Sequence, residues 1–262
     1  MSTEIQFTDG AGYERYMGRW SQLAGRAFLE WLAPAASVRW LDVGCGNGAF
    51  TELIVERCAP ASVDGIDPSD AQLAFARARE TTRTAAFHEG NAMALPFAER
   101  TFDVAVMPLV ITFVPDPAKG VAEMARVVCA GGIVAAYMWD QTSGGFPYHT
   151  LITELRAMGV DVPTTPSSDA SHVDRLRTLW MGAGLIDIET TDIRVQRTFD
   201  TFDDYWATVQ LGPSVGPPIA RMTEADRARL QLRMRELLPT DADGRITYGA
   251  VANAVRGRSP FL

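Results

Sequence analysis

Two aspartates frame the chemistry open to this chain. Asp42 stands near the end of an apolar run, residues 38–43, directly ahead of three glycines in five residues: Gly44, Gly46 and Gly48. Asp67 lies about 20 residues beyond that turn, at the end of the next strand-like run, residues 62–67. Glycines let a ligand approach the backbone without meeting a Cβ. A strand, a glycine turn and a helix N-terminus together form a site for part of a nucleotide-like ligand. An acid at the carboxyl end of the second strand suits a ribose, because its two oxygens can accept from both hydroxyls. Asp42 brings negative charge and so suits a cationic ligand. Gly44, Gly46 and Ala49 also satisfy the looser G-x-G-x-x-G/A dinucleotide pattern. A nicotinamide-dependent oxidoreductase and a non-catalytic cofactor-binding protein therefore stay open beside an enzyme of another class.

Such residues need a parallel sheet to hold them. Strands are expected at residues 38–43, 62–67, 84–89, 102–108 and 133–139, with helices between them. Ser69 and Gln72 form a capping box for one helix; Asp116 and Pro117 are N-cap and N1 of another. Gly131 and Gly132 are expected to stop that second helix. Strand–helix alternation of this kind gives a parallel sheet covered on both faces. Ahead of it, residues 1–12 read as unstructured. Residues 13–33 read as a helix or bent pair of helices, with Trp20, Ala24, Phe28 and Leu32 on one face.

After Trp139 the pattern changes. Residues 140–171 are loop-rich around a short helix near 151–158, followed by a helix at 173–180. Residues 185–199 read as a strand whose apolar parity shifts, which predicts a bulge or break near residues 190–192. Helices are expected at 201–211 and 223–238, separated by the breaker L-G-P-S-V-G-P-P, and a last strand at 246–255. There is no internal repeat and no linker that would split the chain.

The 262 residues suffice for one large α/β domain, and the 47% apolar and 21% charged composition is that of a soluble globular protein. A net charge of -8 without a Lys/Arg block argues against a nucleic acid or an anionic membrane surface as partner. Three scattered cysteines, Cys45, Cys58 and Cys129, suit a reducing cytoplasm. No secretory signal and no bilayer-length apolar run is evident. The three histidines, His88, His149 and His172, lack metal-ligand spacing, so no metal site is expected. The G-x-S-x-G and phosphate-loop motifs are missing as well.

The stretch L-D-V-G-C-G-N-G, residues 41–48, resembles motif I of the S-adenosylmethionine-dependent methyltransferases of Rossmann-like fold, and the likeness covers most of the chain. A dinucleotide fold usually carries an apolar residue where Asp42 stands, whereas this motif carries an acid. The resemblance implies a doubly wound α/β fold. Its seven-stranded, mostly parallel sheet would run in the order 3-2-1-4-5-7-6, the last strand antiparallel, with helices on both faces and a helical cap. It divides the chain into an N-terminal helical lid at 1–34, a cofactor-binding core at 35–139, substrate-side insertions at 140–245, and a last strand and tail at 246–262.

The resemblance also assigns contacts to S-adenosylmethionine, whose product is S-adenosylhomocysteine. They are Asp42, Gly44, Cys45 and Gly46 in motif I; Asp67 and Pro68 after the second strand; Asn91 and Ala92 in G-N-A-M-A-L-P-F beside the adenine; and Met107 in the fourth strand. Y-E-R-Y-M-G-R-W-S resembles the family's N-terminal segment, which makes Tyr16 and Arg19 further contacts, with Arg19 on the methionine carboxylate. The chain departs from its relatives in carrying Thr112 and Phe113 where a His-His pair is common, and it lacks the Asn-Pro-Pro-Tyr-type motif of enzymes that methylate amino groups of DNA bases. The implied reaction is in-line displacement at the cofactor methyl by an O, N or C nucleophile of a small molecule. No general base is identified. Asp140, Tyr148 and His149 follow the fifth strand where a substrate should enter, and Trp206 is a candidate for the pocket wall. Oligomeric state does not follow from these residues.

Overall fold

The computed structural model describes Gly12 and residues 14–261. Of residues 1–12, expected unstructured, all but Gly12 lie outside the described residues, as do Tyr13, where the first helix is expected to begin, and Leu262. One seven-stranded sheet organises the chain, in the order β3-β2-β1-β4-β5-β7-β6. Its strands are β1 (Arg39–Val43), β2 (Ser62–Asp67), β3 (Ala86–Glu89), β4 (Phe102–Pro108), β5 (Val128–Trp139), β6 (Ile186–Phe199) and β7 (Ile246–Arg258). The first five pair in parallel, and β7 runs antiparallel between β5 and β6.

Parity along the strands assigns each side chain to one of two cores. Trp40, Val104, Val106, Ala135, Tyr137 and Trp139 face one side; Leu41, Val43, Ala105, Met107, Val134 and Ala136 face the other. The first side is covered by α1 (Arg19–Leu32) and α2 (Ala49–Cys58). Trp20 of α1 meets Trp139 edge-on at 6.4 Å, and Phe28 lies 4.7 Å from Tyr137. Each buried ring of this kind contributes roughly 2–3 kcal/mol of apolar burial. Helix α3 (Asp70–Ala78) follows β2, capped as expected by the Ser69 hydroxyl, which accepts from the Gln72 N–H. The opposite side is covered by α4 (Pro117–Val127) and, after α5 (His149–Ala157), by α6 (Val173–Gly182). Three further helices, α7 (Phe202–Val209), α8 (Gly216–Arg221) and α9 (Glu224–Leu237), add Val209, Ile219, Leu230 and Met234 to the core on the first side.

Four local expectations are corrected. The first helix does not begin as an α-helix: Glu14–Gly18 is a π-helical turn leading into α1. Helix α4 ends at Val127 and β5 starts at once, so Gly131 and Gly132 sit inside the strand. There Gly131 donates to the Ser259 carbonyl and Ser259 to that of Gly132, pairing that extends the sheet past the glycines. The bulge in β6 falls between Ile186 and Glu189, not at residues 190–192, with Asp187 at φ 51°. The breaker after α7 ends inside the first turn of α8, where its last two prolines sit because no intrahelical N–H is needed there.

Candidate functional site

The carboxyl ends of β1, β2 and β4 open onto a cavity of about 400 Å³. Parallel strands bring Asp42 level with Gly65 of β2 and Val106 of β4. The chain then turns on glycine. Gly44 has φ 75°, and a Cβ there would lie 2.5 Å from a Val110 methyl, so no other residue fits without displacing the wall. Gly46, at φ 52°, would meet nothing within 4 Å, so its backbone is left bare to an approaching ligand. The Ile66 carbonyl accepts from both Gly44 (2.7 Å) and Cys45 (3.1 Å), which pins the turn to β2.

Asp67 serves the turn before it serves any ligand. One oxygen accepts from the Gly46 N–H and the other from the Ser69 N–H, both at 2.9 Å. Burial raises its pKa, and these two bonds oppose the rise. Each oxygen keeps a second acceptor position. Asp42 is completely buried. One oxygen accepts from the Thr51 hydroxyl at 2.7 Å, and the other has no hydrogen-bond partner among the described residues. Desolvation pushes its pKa up to about 7, with a smaller push from nearby Asp67, while the Thr51 bond lowers it. Asp42 is one of the residues that line the cavity, and a buried carboxylate oxygen without a partner is expensive unless a donor or cation completes it.

Of the residues expected at the site, Asp42, Gly44, Cys45, Gly46, Asp67, Pro68, Asn91 and Ala92 all line the cavity. Three do not. Met107 lies in the core on the opposite side of the sheet, because strand parity turns it away while Pro108 faces the cavity. Tyr16 is buried with its ring stacked on Tyr148, 4.3 Å between centroids. Arg19 is exposed and outside the lining. The first helix instead turns Glu14, Gly18, Ser21 and Gln22 to the cavity. Glu14 lies 3.5 Å from both the Asn47 amide and the Arg79 guanidinium, and Arg79 also donates to the Asn47 carbonyl at 2.7 Å.

The sequence reading missed the support of the loop after β3. Asn91 spends its side-chain oxygen on the Met93 N–H. Glu123 accepts from the Leu95 N–H, and Arg126, paired with Glu123, donates to the carbonyls of Leu95 and Phe97. The spacing of Glu123 and Arg126 on α4 was visible in the sequence; their reach to this loop was not. Phe50, Leu53, Leu109, Val110, Phe113 and Tyr137 form the apolar part of the wall, beside the polar Ser21, Gln22, Asn47, Ser69 and Gln72.

The residues considered for proton transfer are engaged elsewhere. Asp140 accepts from the N–H groups of Thr142 and Ser143 and from the Thr142 hydroxyl. Burial would raise its pKa, but these bonds hold it below the usual carboxylate value. Tyr148 is buried, its pKa is raised by desolvation, and it donates to the Tyr16 carbonyl at 2.6 Å. His149 lies beside Thr153, and Trp206 stacks on Phe202; none of the four lines the cavity. No group of three or more metal-ligating side chains occurs among the described residues, and no described helix is long and apolar enough to cross a membrane.

This sheet order, with a glycine turn and two acids at its carboxyl edge, defines the Rossmann-like methyltransferase fold of class I. Residues 41–136 match the family model of the methyltransferase domain. The chain is 28% identical over 222 residues to a trans-aconitate 2-methyltransferase of Methylobacterium nodulans, covering 81% of this chain and 83% of that one. Among solved structures it resembles the YcgJ protein of Bacillus subtilis (TM-score 0.62, 16% identity, 91% of this chain and 99% of that one). It also resembles a phosphoethanolamine N-methyltransferase of Haemonchus contortus solved with S-adenosylhomocysteine (TM-score 0.59, 18% identity, 95% and 56%). The chain thus carries a methyltransferase domain over residues 41–136, within the class I fold of the S-adenosylmethionine-dependent methyltransferases.

Proposed function

We propose that the cavity at the carboxyl ends of β1, β2 and β4 holds S-adenosylmethionine, and that the methyl group passes to a small, uncharged, largely apolar acceptor. The orphaned oxygen of Asp42 carries this reading: a buried carboxyl group at the cavity wall is costly to ionise until a donor or cation completes it, and a sulfonium is such a cation. The bare backbone at Gly46 and the remaining acceptor positions of Asp67 suit a ribose beside it, and the loop at Asn91 and Ala92 suits the adenine edge. The bound cofactor supplies an electrophilic methyl on a good leaving group. The chain's residues then have to orient the acceptor in line and exclude water. A nicotinamide dinucleotide fits less well, because the acid at Asp42 beside the glycine turn would oppose its pyrophosphate.

The acceptor class follows from the wall. Its titratable lining groups are Glu14, Asp42, Asp67, Cys45 and Tyr137, with no histidine, lysine or arginine among them. The residues outside the described part contribute none of these three either. A polycarboxylate like the one named for the Methylobacterium relative would therefore enter beside carboxylates without a counter-charge. With no histidine or lysine among the described lining residues and its carboxylates assigned to the cofactor and the turn, the acceptor is one whose nucleophile is already reactive or readily ionised.

Calorimetry with S-adenosylhomocysteine and with NAD tests the cofactor; saturable NAD binding with none for S-adenosylhomocysteine rejects it. Labelled methyl transfer to neutral phenols and amines, against di- and tricarboxylic acids, tests the acceptor. Turnover confined to the carboxylic acids rejects the second part.

A further inference from the structure

Arg197 is a buried cation that no function above uses. It lies on β6 and is 7% exposed, with its guanidinium 4.1 Å over the Phe199 ring. It has no ion-pair partner among the described residues. Its donors go instead to two consecutive carbonyls: Nη1 to Tyr16 O at 3.1 Å and Nη2 to Arg15 O at 3.3 Å, while Nε has no partner among the described residues. The Tyr16 carbonyl accepts a second bond, from the Tyr148 hydroxyl at 2.6 Å. Both carbonyls belong to the π-helical turn Glu14–Gly18. The same five residues present Glu14 and Gly18 to the cavity.

A buried guanidinium is costly without a carboxylate, and an apolar side chain of similar length is often tolerated or even stabilising in such a place. Fold stability therefore does not account for Arg197. Its donors reach two carbonyls of the π turn, and they do so from the edge strand at the far end of the sheet. We infer that Arg197 and Tyr148 are positioning residues that clasp Glu14–Gly18 in place as a wall of the cofactor cavity. The inference rests on the reading of that cavity as the S-adenosylmethionine site.

The test uses Arg197→Met, Tyr148→Phe and the double variant of the full chain. Tyr148→Phe keeps the ring stacked on Tyr16 and removes only the hydroxyl, so it remains informative if Arg197→Met fails to fold. Each single variant should release S-adenosylhomocysteine about tenfold faster or more and raise the KM for S-adenosylmethionine with kcat little changed, since Tyr148→Phe removes one bond to the turn and Arg197→Met removes two. The double variant should fall well short of the product of the singles, because both side chains act on the Tyr16 carbonyl. Arg197→Lys should recover part of the loss. Trypsin, which needs no ligand, should cut after Arg15 or Arg19 faster in each single variant than in the parent. A merely structural role would lower the melting temperature and leave the dissociation rate within threefold of the parent; that result, in folded variants, overturns the clasp. If the parent itself does not bind S-adenosylhomocysteine, the cavity reading fails, and the trypsin rates alone decide the clasp: no change in either single variant overturns it.

Discussion

Replacing Asp42 by asparagine should make the protein more stable at alkaline pH and a worse enzyme. Asp42 is fully buried, and its pKa is pushed to about 7 from 3.8. The folded state thus holds a proton that the unfolded state has already released, so folding loses stability as pH rises from the unfolded pKa to the folded one. The full penalty, reached above about pH 7, is about 4 kcal/mol. Asparagine never ionises and escapes it. It still accepts from the Thr51 hydroxyl, but as a neutral partner, which gives back about 1 kcal/mol. The variant should therefore exceed the parent by about 2–3 kcal/mol near pH 8, and by much less near pH 5, where the parent is largely protonated. Urea denaturation of both proteins at the two pH values reads this directly, with the slopes expected to agree. S-adenosylmethionine should bind the variant at least about tenfold more weakly, and S-adenosylhomocysteine, which lacks the sulfonium, should lose less. If the stability difference is the same at both pH values, Asp42 ionises normally in the folded protein, and the argument from its burial is wrong.

Three further substitutions probe the same cavity. Asp67→Ala removes two acceptors for ribose hydroxyls and should weaken S-adenosylhomocysteine on the order of 100-fold or more by calorimetry, whereas an effect within threefold removes Asp67 from the site. It should also destabilise the unliganded protein by about 1–3 kcal/mol in urea, because the Gly46 and Ser69 N–H groups lose their acceptor. Gly44→Ala must place a Cβ at φ 75° against Val110 and should cost about 1–3 kcal/mol together with most of the cofactor affinity; a parent-like melting temperature and affinity would mean the turn relaxes freely. Arg19→Ala, at an exposed position outside the lining, should change the affinities of S-adenosylhomocysteine and methylthioadenosine by less than about twofold. A selective loss of the former would restore Arg19 to the methionine carboxylate.

The sequence by itself determined what depends on neighbours in the chain. Residues 38–48 carry an apolar run, an acid and three glycines, and those local facts already dictate a buried strand ending in a tight turn. Asp67 was legible because a strand–helix–strand unit has a nearly fixed length, so spacing stands in for position. Ser69 and Asp116 were legible because caps act within three residues. Met107 was half legible: alternation along β4 puts it opposite Val106, but which parity faces the cavity depends on how β4 registers against β1. The first helix was legible only as an amphipathic stripe. The stripe seats the helix on the sheet through Trp20 and Phe28, yet the rotation that brings Glu14, Ser21 and Gln22 to the cavity and leaves Arg19 in solvent is set by packing against Trp139 and Tyr137. The orphaned oxygen of Asp42 and the two bonds from Arg197 to carbonyls in the first turn belong wholly to the tertiary structure. A desolvation cost appears only when the other elements close around the charge, and residues that meet across 181 positions leave no spacing in the chain to read.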